Sequence, residues 1–128
     1  MRFAPKDPPR RFSVGNAVKF EMKDCGELML DADEQVTLKT RRGGEYDVAR
    51  KDWGFYATPS LNGRLAQFGL RAVLIRNRET GRYFILLVER GEEPRFDAYM
   101  AREGLDLIAW MDSTAALDAL ARRVSGGE

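Results

Sequence analysis

The sequence predicts an α+β fold: an N-terminal antiparallel β-meander, then α-β-β-α-β-α, one mainly antiparallel sheet with helices packed on one face. Three observations predict it. Short apolar–polar alternation dominates the first half, as half-buried strands require. Strands and helices mix in the second half without the strict alternation of a doubly wound sheet. The chain has 128 residues, enough for one compact domain.

The elements follow in order. Residues 1–14 hold three of the five prolines and a local excess of positive charge (Arg2, Lys6, Arg10, Arg11 against Asp7). Proline removes backbone donors and disfavours helix in the residue before it, so this stretch reads as a flexible, extended basic arm. A single domain then spans 15–124. Val18, Phe20 and Met22 fall on one face of a first strand, and Asp24–Gly26 read as a turn. Short strands follow at Glu27–Leu30, Gln35–Thr40 and Glu45–Ala49, with Arg41–Gly44 supplying glycines for a tight hairpin turn. From Arg50 to Pro59 the glycine and proline content marks a loop. Ser60 reads as a helix cap, with Leu61, Leu65 and Phe68 at helical spacing and Gly69 as the stop. Strands are expected at Leu70–Ile75, Tyr83–Glu89 and Leu105–Trp110. A helix starts near Glu92–Pro94 and ends at Gly104, burying Phe96, Tyr99 and Met100, and a last one runs from its cap Ser113 to Val124. Residues 125–128 read as a frayed tail.

Composition closes off several chemistries. There is no histidine, which excludes histidine-based nucleophilic and general-base catalysis and histidine metal ligation. The single cysteine, Cys25, forms no internal disulfide and no multi-cysteine zinc site, and its surroundings read as those of a buried or half-buried, inert thiol. The formal net charge is +1, and acids match bases in each half of the chain, so nucleic acid is not an expected partner. No apolar run is long enough for a membrane span, and no secretory signal opens the chain; a cytoplasmic location is the expectation. The acidic cluster Glu27, Asp31, Asp33 and Glu34 matches no calcium-loop spacing and reads as a solvated turn, so no metal and no cofactor are expected.

One segment stands out. Lys51–Leu65 (KDWGFYATPSLNGRL) gathers three aromatics, two glycines, a proline and several polar groups. Ser60–Gly63 would offer free N–H groups at a helix start to a carboxylate or phosphate, with Arg64 adding a two-pronged contact. Trp53, Phe55 or Tyr56 would supply a flat face for a sugar or base, and Asp52 or Asn62 would hydrogen-bond hydroxyls. The candidate ligand-binding residues are therefore Asp52, Trp53, Tyr56, Ser60, Asn62 and Arg64, and no catalytic residue is assigned. Packing competes with this reading and weighs somewhat more, because loop aromatics often plug the end of a sheet and Ser60 serves equally as a cap.

The same segment, followed by Leu86–Glu89, resembles a small bacterial family of uncharacterised proteins; the resemblance covers residues 17–112. It implies no assigned reaction and no catalytic residues. Similar sequences accompany surface-carbohydrate biosynthesis genes, which tilts the ligand toward an anionic sugar or sugar phosphate. Three functions are thus carried forward. The first is a non-catalytic small-ligand-binding or accessory domain, and nearly level with it is a protein-interaction module, either a homodimer or an adaptor. A carboxylate-based enzyme ranks third.

Overall fold

The computed structural model describes residues 1–126 and is an α+β structure of antiparallel sheets and three helices. Its strands divide among three sheets, and its contacts divide the chain into two compact units: Met1–Thr37 with Asp47–Thr58, and Leu38–Tyr46 with Pro59–Glu128. Each is described by itself.

The first unit is built on a long hairpin of β1 (Arg2–Val14) and β2 (Phe20–Met29). Residues 2–14, expected as an unpaired arm, are one half of this ladder. Two of the three prolines fall where the ladder is interrupted. The register shifts between Pro5 and Arg10, so Lys6–Pro9 bulge out opposite Cys25, and Pro8 and Pro9 lie inside that bulge. The same shift replaces the turn expected at Asp24–Gly26, and β2 runs straight through it. Lys6 and Arg10 both reach Asp24 at the bulge, at 2.6 and 3.3 Å, and Arg11 pairs with Glu21. Pairing alternates apolar and polar positions: Phe12 faces Met22 and Val14 faces Phe20, while Arg11 faces Lys23 and Ser13 faces Glu21.

Next come β3 (Gln35–Lys39), β4 (Glu45–Lys51) and β5 (Gly54–Ala57), in sheet order β3-β4-β5. Residues 54–57, read as loop from their glycine and neighbouring proline, are a strand paired to β4. Within the first unit Asp47 is buried, and Thr37 Oγ1 donates to it at 2.6 Å. No apolar side chain of this unit is among the buried core residues.

The core lies in the second unit. Its sheet has the order β7-β6-β8, with β6 (Leu70–Asn77) central, β7 (Tyr83–Glu89) on one side and β8 (Leu105–Trp110) on the other, all antiparallel. Alternation along β6 sends Val73 and Ile75 to one face and Leu70 and Ala72 to the other. Val73 and Ile75 pack with Val88 and with Phe96 and Met100 of α2 (Glu93–Glu103). Leu70 and Ala72 pack with Leu65 of α1 (Arg64–Gln67) and Tyr46. Helices therefore lie on both faces of β6, not on one, which is why its sequence is apolar at consecutive positions. Pro94 opens α2, and Gly104 closes it at φ +68°, a left-handed C-cap that a glycine adopts without strain. The last helix, α3 (Thr114–Gly126), buries no residue. It includes Ser125 and Gly126 of the expected frayed tail; residues 127–128 lie outside the described residues.

Candidate functional site

The six expected site residues fall into two groups of three, one in each unit. Asp52, Trp53 and Tyr56 belong to the β4–β5 hairpin of the first unit. Val48 pairs with Ala57, Ala49 with Tyr56, Arg50 with Phe55 and Lys51 with Gly54, which leaves Asp52 and Trp53 as the turn. Gly54 supports that turn at φ +147°, outside the range a side chain readily adopts. The aromatics neither plug a sheet nor fill a cavity. Trp53 is 70 % exposed, Phe55 64 % and Tyr56 52 %. Lys51 bonds Asp33 at 2.5 Å, and this carboxylate raises the Lys51 ammonium above its ordinary value.

Ser60, Asn62 and Arg64 stand at the start of α1 in the second unit. Of the N–H groups at this helix start, those of Gly63, Arg64 and Leu65 are already taken. Ser60 Oγ accepts the Arg64 N–H at 2.8 Å, and the Ser60 carbonyl accepts the N–H groups of Gly63 at 3.3 Å and Leu65 at 3.1 Å. The helix has only four residues, too few for a sizeable end dipole. Asn62 donates to Thr114 Oγ1 at 3.0 Å, and the Arg64 guanidinium lies 5.1 Å from the Phe68 ring. This trio caps and packs. Its sequence carries the signature of an anion site because capping and anion binding use the same donors.

A groove of about 400 Å³ in the first unit had no counterpart in the sequence reading. It is lined by Arg2, Ala4, Glu27, Leu28, Met29, Leu30, Arg50 and Phe55. Arg2 lies opposite Met29 and Ala4 opposite Glu27 on β1–β2, while Arg50 lies opposite Phe55 on β4–β5, so each wall is made by cross-strand neighbours. The Arg50 guanidinium is 6.0 Å from the Phe55 ring and makes one long contact, 3.4 Å, to the Gly54 carbonyl. Among the described residues no carboxylate forms an ion pair with Arg2 or Arg50, whereas Lys6, Arg10, Arg11 and Lys51 of the same unit are all paired. Sequence reasoning missed this groove because it took residues 1–14 as an arm. The alternation of Arg11, Phe12, Ser13 and Val14 was the signal of a strand there.

The acidic cluster does not converge. Glu34 binds the Met1 amine at 2.8 Å and the Asp31 N–H at 2.8 Å, and the Met1 amine holds the Glu34 carboxyl below its usual range. Asp33 is occupied by Lys51. Among the described residues no three metal-ligating side chains meet. Cys25 is exposed, in contrast to the burial or half-burial expected of it, because a two-stranded ribbon has no second layer to cover it; its Sγ lies 3.7 Å from the Lys23 carbonyl. Compared with family models, curated proteins and solved structures, the chain matches none.

Proposed function

We propose that the chain is a non-catalytic binding domain whose first-unit groove takes a small anion attached to a ring, with a sugar phosphate as the type ligand. One observation carries this reading: two guanidinium groups without carboxylate partners, Arg2 and Arg50, line one groove beside an exposed aromatic ring, Phe55. Each guanidinium presents a planar fork that matches two phosphate or carboxylate oxygens. Phe55, Leu28, Met29 and Leu30 offer apolar surface to a sugar face, and Glu27 accepts from hydroxyl groups. The volume falls in the range of small-ligand sites.

The test is calorimetric titration of the full chain with inorganic phosphate, glucose 1-phosphate and glucose. Glucose 1-phosphate is expected to bind most tightly and glucose not at all. Arg2→Gln and Arg50→Gln should each weaken binding about tenfold, the worth of one charge-assisted contact. Ser60→Ala should leave affinity unchanged. Silence toward both anions, or equal affinity in the two arginine variants and the wild type, refutes the reading.

A further inference from the structure

The outer edge of the second unit's sheet carries an apolar strip that nothing in this unit covers. On β7, Tyr83 is 58 % exposed, Phe84 49 % and Ile85 56 %, three consecutive large side chains on an edge strand. Edge strands are ordinarily blunted by charge, proline or a bulge. From Tyr83 to Val88 the sequence has no charged residue and no proline, and the β6–β7 ladder runs from Leu70 opposite Glu89 to Arg76 opposite Tyr83 with no register shift. The exposure ends where cover begins, with Val88 only 7 % exposed beneath α2.

We propose that two copies of the chain pair through this edge, antiparallel, with Phe84 on the two-fold axis. The choice of a second copy as occupant follows from the strand's match to itself. A two-fold axis normal to the sheet keeps every side chain on its own face, so Phe84 lies opposite the partner's Phe84 and Tyr83 opposite the partner's Ile85. Aromatic against β-branched is among the favourable cross-strand pairs, and this register makes two of them. The area points to a reversible dimer. Three half-exposed side chains of roughly 200 Å² each offer about 300 Å² per copy, of which sideways pairing removes a part, and with the strand edge the burial reaches at most about 500 Å². A total of at most about 1,000 Å² lies below the range of stable interfaces and fits a weak, reversible contact. The pairing leaves β8 as the outer edge of a six-stranded sheet. It involves no residue of the ligand groove.

Sedimentation of the full chain from about 1 µM to 1 mM should show a concentration-dependent dimer. Tyr83→Lys, at the most exposed position, should weaken it at least tenfold, while Trp53→Ala should leave it unchanged; far-UV circular dichroism checks that each variant folds. In a Cys25→Ser background, Phe84→Cys should form a disulfide-linked dimer on mild oxidation, because the axis sets the two thiols side by side. Leu107→Cys on β8, 43 % exposed, should not. A strict monomer over the whole range overturns the proposal and leaves the edge to a strand of another protein. A dimer that crosslinks as readily through Leu107→Cys overturns it as well. Glucose 1-phosphate titration of Tyr83→Lys separates this outcome from the fate of the ligand reading, since the groove belongs to the other unit.

Discussion

Arg71 ties three pieces of the second unit together, and its removal gives the sharpest test of how that unit is held. The side chain leaves β6 and stacks on Trp110 of β8, with its guanidinium 3.9 Å from the ring centroid. It also donates to Asp112 at 2.6 Å, just beyond β8, and to Glu93 at 3.3 Å, in the first turn of α2. Asp112 is the main cause that raises the guanidinium above its ordinary value, with Glu93 adding to it. At 26 % side-chain exposure the group is only partly screened by water. A charge-assisted hydrogen bond to Asp112 is worth about 2 kcal/mol and the stacking about 1 kcal/mol. Arg71→Met should therefore cost about 3 kcal/mol, or about 15 °C in melting temperature for a unit of this size. Arg71→Lys keeps the charge but loses the planar fork and the flat stacking face, and should cost about half as much. Urea unfolding followed by circular dichroism measures both. A double-mutant cycle with Asp112→Asn should return a coupling above about 1 kcal/mol. A loss below about 0.5 kcal/mol for Arg71→Met, the size of an ordinary surface substitution, refutes the reasoning.

Two further perturbations follow from the packing and the charges. The Lys6 ammonium beside Asp24, helped by the Gly26 N–H and by Arg10, holds the Asp24 carboxyl below its usual 3.8. A carboxyl lowered in the folded state stabilises above its ordinary value and loses that contribution as pH falls through the lowered one. Amide protection factors in residues 2–14, taken against the unfolded chain at each pH, should therefore fall in acid, and Asp24→Asn should reduce that fall; unchanged protection between about pH 6 and pH 2 would speak against the Asp24 hub. Leu65 is fully buried against Leu70 and Ala72, and Leu65→Ala should cost about 2–5 kcal/mol in urea unfolding, whereas Leu61→Ala, 36 % exposed, should cost less than about 1 kcal/mol. Equal costs for the two would mean that α1 does not seal that face.

Legibility in the sequence followed the strength of local periodicity. β6, β7, α2 and β8 lie within a residue or two of where the sequence expects them, because each carries an unbroken apolar pattern bounded by Gly81, Pro94 or Gly104. β1 was illegible because two of the three prolines that argue against a strand, Pro8 and Pro9, sit in a bulge, and a bulge is set by the partner strand. β5 was illegible because Gly54 and Pro59 bracket only four residues. At the candidate site the reading of Lys51–Leu65 singled out the right aromatics but weighed their packing above their exposure, and it joined two groups that belong to different units. A cap and an anion site present the same residues, and only the hydrogen bonds that Ser60 accepts tell them apart.

By itself the sequence determined the class of fold, the antiparallel character of the strands, the core strands of the second unit and the exclusion of histidine chemistry. These follow from composition and from side-chain period, which are local properties. Only the tertiary structure decided that Arg2 and Arg50 line one groove, that Ser60 spends its acceptors on its own turn, that Arg71 meets Trp110, Asp112 and Glu93, and that Tyr83, Phe84 and Ile85 stay uncovered. Each depends on which strand lies beside which and in what register. Register depends on contacts between residues far apart in the chain, and no local pattern encodes them.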